Sequence, residues 1–139
     1  MVDKTVLASR VAAIRDAVSR IRSVLPERVD RFTADRTTRE VVVLNLFVAL
    51  QECVSLAVHW LADEGLSVPP TYGEIFRTLG DRGILPADLS DRLAAASGFR
   101  NLVAHRYGAL DWSRVHAIAS GGLEDLLTFC ETLTRRAGD

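Results

Sequence analysis

Arg100 and His105 stand five positions apart in the segment Phe99-Arg100-Asn101-Leu102-Val103-Ala104-His105-Arg106-Tyr107, and their side chains together suit phosphodiester chemistry. An imidazole takes and returns a proton near neutral pH, and a guanidinium holds two phosphate oxygens at once as charge builds on them. RNA supplies its own nucleophile. If His105 takes the proton of a ribose 2′-OH, attack on the adjacent phosphorus needs no metal, and Arg100 stabilises the crowded, charged intermediate. Five residues turn a regular helix through about 140°, so the two side chains do not share a strict face. They border one cleft if the helix ends or bends near His105, or if a two-fold axis brings two copies of the segment together. Spacing alone is a weak signal, because such pairs arise often by chance.

The elements that must position this segment read as helices throughout. Leu7, Val11, Ile14, Val18, Ile21 and Leu25 alternate four and three apart and form one stripe of a helix ending near Pro26. A polar connection from Glu27 to Arg36 leads to Thr37 and Glu40, at capping-box spacing before a long apolar helix over residues 38–62. That helix is apolar nearly all round, which fits either a homodimer interface on its second face or a fully central helix in a bundle. Thr71 and Glu74 repeat the capping spacing and open a short helix that stops at Gly80. Pro86 suits the first turn of a fourth helix, carrying Leu89, Leu93 and Ala96 toward Phe99, with Gly98 loosening it before the motif. Asp111 caps a helix through Ala119, and Gly121-Gly122 separates it from a last one, 123–136. No strand-like alternation of useful length occurs, so the fold class is all-α, a helical bundle with short connections formed by residues 1–139 as a single domain.

The composition, 48% hydrophobic and 25% charged, is that of a folded domain rather than a disordered chain. A net charge of -1 does not advertise a nucleic-acid binder. Residues 1–40 are the exception, carrying Lys4 and eight arginines against six acids. That stretch is a solvated helix face or a flank contacting phosphates. Cys53 and Cys130 each lie in an apolar helical stretch and read as buried thiols, not as a disulfide or metal ligands. The apolar run from Val41 to Leu50 is interrupted by Asn45 and too short to span a bilayer, and the N-terminus lacks a signal pattern, so the expected location is cytoplasmic. His59 reads as a hydrogen-bonded core histidine, Glu52 as an acid that pairs with an arginine, and His116, with no acid or cysteine at ligand spacing, is given no role. Nothing resembles a phosphate-binding glycine loop or a Ser-His-Asp constellation.

Arg100-x4-His105-x-Tyr107 resembles the R-x4-6-H motif of the HEPN superfamily, in the R-x4-H-x-Y form of HepT-like toxins. The resemblance extends to Ala57-Val58-His59-Trp60, the loop Val68-Pro69-Pro70-Thr71-Tyr72, Ile75-Phe76, Leu79, Gly98-Phe99-Arg100-Asn101 and Leu123-Glu124-Asp125-Leu126, in the family's order. It covers residues from about 40 to 135.

The resemblance implies an antiparallel, homodimeric HEPN-type bundle in which the motifs of two subunits line a shared cleft. It implies a metal-independent endoribonuclease toxin of a toxin–antitoxin pair, type II-like, or type VII where the antitoxin acts by AMPylation. Arg100 and His105 become the catalytic pair and Asn101 the polar residue that helps arrange the site. The expected substrate is RNA, with tRNA favoured by the resemblance. The expected partner is an MntA-like nucleotidyltransferase antitoxin that transfers AMP onto Tyr107; on structural grounds alone, Tyr107 is a helix-end aromatic packing on a neighbour. No cofactor, metal or membrane is implied. The alternative is a non-catalytic helical binding partner of a minimal nucleotidyltransferase.

Overall fold

The computed structural model describes residues 2–138. Asp3 starts helix α1 (Lys4–Val24): its carboxylate accepts from the N–H groups of Thr5 at 2.8 Å and Val6 at 3.2 Å, satisfying two donors that a helix start leaves open. Leu7, Val11, Ile14, Val18 and Ile21 are all buried, a stripe in which each side chain contributes about 1.5–3 kcal/mol. Leu25 leaves the helical region and Pro26 follows it.

Between Glu27 and Arg36 the chain is not the plain connection that the sequence suggests. It makes a six-residue helix, α2 (Val29–Ala34). Its anchor is Phe32, fully buried, with its ring 6.3 Å from that of Trp112 and 5.4 Å from that of His116. One buried aromatic in a polar stretch is too sparse a pattern for periodicity to register.

Helix α3 (Arg36–Asp63) begins two residues before the expected start. Its cap is Asp35, which accepts from Thr38 N–H at 3.2 Å, rather than Thr37; Glu40, the other half of the expected capping box, instead binds Arg36 Nε at 2.9 Å. α3 is the central helix. Val42, Leu46, Ala49, Cys53, Leu56, Ala57 and Leu61 face inward, almost without exposure. The opposite face is not covered: Leu44 is 60% and Val48 36% exposed, flanked by half-buried Val41, Phe47, Ser55 and Val58. Both readings of the apolar helix therefore hold for different faces. By length and composition α3 is apolar enough to cross a membrane, although its longest apolar run had read as too short; half of its most apolar 18-residue window is buried inside the bundle.

Helix α4 (Tyr72–Asp81) is capped as expected, Thr71 Oγ1 accepting from Glu74 N–H at 3.3 Å. It turns back onto α5 (Ala87–Arg106) through Gly83, whose φ of +72° is the left-handed conformation that glycine adopts without strain. Gly80 permits the close crossing of these two helices: a Cβ there would stand 2.5 Å from Ser90 Oγ, which donates to the Phe76 carbonyl. α5 runs through Gly98 without interruption and gives way to a single 3₁₀ turn, Tyr107–Ala109. Asp111 caps α6 (Trp112–Gly121), and α7 (Leu123–Gly138) closes the bundle. Ion pairs tie the helices across sequence: Arg10–Glu52 at 2.9 Å, Arg22–Glu124 at 2.7 Å and Arg92–Asp125 at 3.0 Å. Cys53 and Cys130 are free and buried. Burial pushes the Cys53 thiol well up and the Cys130 thiol up to about 11, so neither is primed for reaction.

Candidate active site

Phe99 is buried and fixes the rotation of α5. The next side chain, Arg100, is consequently carried to the rim of the core, half-buried between α3 and the start of α4. Its Nε donates to Gln51 Oε1 at 2.7 Å and its Nη1 to Asn101 Oδ1 at 3.4 Å. The guanidinium carbon lies 5.1 Å from the Phe47 ring centroid and 5.3 Å from that of Tyr72, within cation–π range of both. Gln51 is itself oriented, since its Nε2 donates to Ser55 Oγ at 3.4 Å. The amide oxygen is thereby committed to Arg100. The result is a planar cation held at Nε, with Nη donors left over that suit a phosphate.

Gln51, Phe47 and Tyr72 did not emerge from the motif. A polar Gln51 amid the apolar residues of α3 was the available signal, because a polar side chain on such a helix needs a partner. Tyr72 belongs to the Pro-Pro-Thr-Tyr loop and had been noted only as part of a resemblance.

His105 stands on the last turn of α5, exposed. The helix is regular through this position, and only at Arg106, with φ −140° and ψ 39°, does the backbone leave it. α5 ends at Arg106, one residue past His105, so the helix end expected near His105 is present, with no bend before it. Within one chain Arg100 faces α3, while His105, about 140° further round, faces solvent.

Tyr107 opens the 3₁₀ turn and is 44% exposed. Its ring meets that of Trp112 edge-on at 6.0 Å. It is thus a helix-end aromatic packed on a neighbour, with its remaining surface open. Trp112 in turn carries the Arg39 guanidinium over its face at 5.0 Å.

The other histidines have structural surroundings. His116 is buried, its Nε2 2.7 Å from the Pro26 carbonyl oxygen. His59 is half-buried with Nε2 3.1 Å from Asp63 Oδ2, off the line of a hydrogen bond. Its partner is therefore a carboxylate one turn on, rather than the core hydrogen bond expected. Glu52 pairs with Arg10, as expected of an acid on this helix.

Residues 14–133 match the family described as ribonuclease HepT-like. The chain belongs to the ribonuclease HepT-like family. Among curated proteins it is 27% identical over 128 residues to the mRNA nuclease HepT of Shewanella oneidensis, covering 92% of this chain and 96% of that one. Among solved structures, the tri-AMPylated HEPN toxin of the same organism in complex with MNT antitoxin superposes with a TM-score of 0.87 at 27% identity, covering 97% of this chain and 99% of that one. A toxin–antitoxin crystal structure with AMP-PNP gives a TM-score of 0.87 at 25% identity, over 94% and 98% of the two chains. The fold expectation, an antiparallel HEPN-type all-α bundle, is met. The cytosolic protein YutE of Bacillus subtilis superposes with a TM-score of 0.85 at 11% identity, over 97% and 90% of the two chains, a likeness of fold alone.

Proposed function

We propose that this chain is the toxin of a toxin–antitoxin pair and a metal-independent endoribonuclease, a single domain over residues 1–139 acting in the cytoplasm as a homodimer. The observation that carries the chemistry is the Arg100 guanidinium, fixed by Gln51 at 2.7 Å and backed by two aromatic rings. A cation held in this way loses little entropy on binding a phosphate and is set for the charge that develops in the transition state. His105 takes the ribose 2′-OH proton; the 2′-oxygen bonds to phosphorus, the 5′-oxygen leaves with a proton returned by an imidazolium, and a 2′,3′-cyclic phosphate remains. Asn101, bonded to Arg100, helps hold its orientation.

The homodimer accounts for two features at once. The open stripe of α3, with Leu44 and Val48, is an apolar surface of the kind that covers itself across a two-fold axis. The same axis would bring His105 of one copy toward Arg100 of the other.

The toxin is neutralised by a nucleotidyltransferase partner, as the Shewanella relative's complex with MNT antitoxin supports. Tyr107 Oη attacks the α-phosphorus of ATP, pyrophosphate departs, and the phenolic proton passes to the partner or to water. AMP then occupies the approach to His105, two residues away. The substrate is RNA. The resemblance favours tRNA, while the curated relative is called an mRNA nuclease.

Induction of the wild-type chain in a bacterial host, beside His105→Ala and with or without the partner, tests this reading. Arrest by wild type alone, relieved by the partner and accompanied by cut RNA, is expected, and sequencing of the cut ends distinguishes tRNA from mRNA. Equal growth of both versions, with the partner still bound, would replace the enzyme by a non-catalytic helical binding partner.

A further inference from the structure

The surface beside Tyr107 carries two arginines, Arg36 and Arg39. Arg36 and Arg39 lie three residues apart at the start of α3, on the same side of the helix. Arg39 lies over Trp112, on which the Tyr107 ring also rests. Its Nη1 donates to the Thr33 carbonyl, yet its Nε is shielded from solvent and has no hydrogen-bond partner among the described residues. A shielded N–H without an acceptor is uncommon in a folded protein and suits an incoming oxygen anion.

Arg36 is exposed, and its side chain pairs with Glu40. An exposed pair of this kind holds weakly and yields to a better acceptor. The hydrogen bond and charge of Glu40 raise the Arg36 pKa most, and a smaller contribution in the same direction comes from Tyr107, which places the phenol within electrostatic reach. Arg36 also borders an open basin of about 690 Å³, lined besides by Arg31, Asp35, Thr37 and Thr38.

We infer that Arg36 and Arg39 form a phosphate clamp for the nucleotidyl group on Tyr107, seating its phosphodiester against the first turn of α3. This rests on the reading of Tyr107 as the modified residue and adds what becomes of the nucleotide once attached. Modification thus does more than add bulk: it docks a charged group between α3 and the 3₁₀ turn and holds it there. A docked linkage is shielded from hydrolysis, so the inhibited state persists after the nucleotidyltransferase has left.

The test compares wild type, Arg36→Gln, Arg36→Lys and Arg39→Gln after modification by the partner and ATP. Each is then treated with a nonspecific phosphodiesterase, and AMP loss is followed by intact mass. Release from Arg36→Gln at least about ten-fold faster than from wild type is expected, with Arg36→Lys between the two because it keeps the charge but not the fork. The ³¹P resonance of the modified protein should shift in the same variants. Arg36 makes no core contact, so its variants fold irrespective of the outcome for Arg39. Equal release rates across the set would overturn the clamp. So would a matching loss of RNA cleavage in the unmodified Arg36 variants, which would assign these arginines to RNA. A wild-type protein that gains no mass at Tyr107 would remove the modification reading itself, a result distinct from equal release.

Discussion

The guanidinium of Arg100 is held by the Gln51 amide and lies against the faces of Phe47 and Tyr72, whereas His105 and Tyr107, five and seven residues further on, are exposed, Tyr107 with one edge on Trp112. One helix and the turn that ends it therefore carry a preset half and an open half of the proposed site. The difference matches the demands of the two tasks. A cation that stabilises a transition state works best when it needs no reorganisation, while the proton carrier and modifiable phenol proposed here would have to be reachable by substrate, by a second subunit and by a partner enzyme.

Breaking either half should stop catalysis, but with different effects on stability. His105→Ala should lower RNA cleavage about 10²–10⁴-fold, while thermal melting moves by no more than the equivalent of about 0.5 kcal/mol, as for other exposed positions. Arg100→Ala should be equally inactive but less stable, because Gln51 Oε1 would lose its partner at a cost of about 1–3 kcal/mol. Arg100→Lys should not rescue cleavage, since an ammonium cannot reproduce the fork. Equal melting of the His105 and Arg100 variants would undo the contrast between preset and open halves.

The open half is expected to be completed across a two-fold axis, and Leu44 tests that directly. At 60% exposure, Leu44→Asp should leave the protomer folded while shifting it to a monomer by light scattering, and cleavage should fall about 10²-fold or more as the shared cleft is lost. A monomer that still cleaves RNA at full rate would place Arg100 and His105 in one chain's site.

A smaller effect is expected from the support behind Arg100. Gln51→Leu removes the oxygen that fixes Nε but leaves the guanidinium in place. Cleavage should fall about ten-fold, mainly in kcat rather than KM, because positioning matters most where charge develops. A change in KM alone would make Gln51 a contact to RNA rather than a positioning residue.

The same contrast explains what could be read in the sequence. The stripes of α1 and the caps of α4 and α6 were legible because they repeat or use fixed spacings, and Arg100, His105 and Tyr107 were singled out because they form a motif. Phe32 and the short α2 were not, since one buried aromatic carries no period. The α3 cap was misplaced because Asp35 and Thr37 are both good capping residues, and Arg36 at the helix start draws Glu40 away from the expected capping box. Gln51 and Phe47 were hidden for another reason: their partner is 49 residues away from Gln51 in sequence, and only packing of α3 on α5 brings them together.

The smallest expected effect concerns the residue two positions before Arg100. Gly98 read as a point of looseness in the fourth predicted helix, yet α5 passes through it unbroken, and a Cβ added there would meet nothing within 4 Å. Gly98→Ala should therefore stabilise the protomer by about 0.5–1 kcal/mol, through helix propensity and a less disordered unfolded chain. If the preset half needs only rigidity, cleavage should be unchanged or slightly raised in the same variant. A more stable protomer that cleaves less would mean that the missing side chain serves motion or a close approach between subunits, and analytical ultracentrifugation separates these: weaker association points to the approach, unaltered association to the motion.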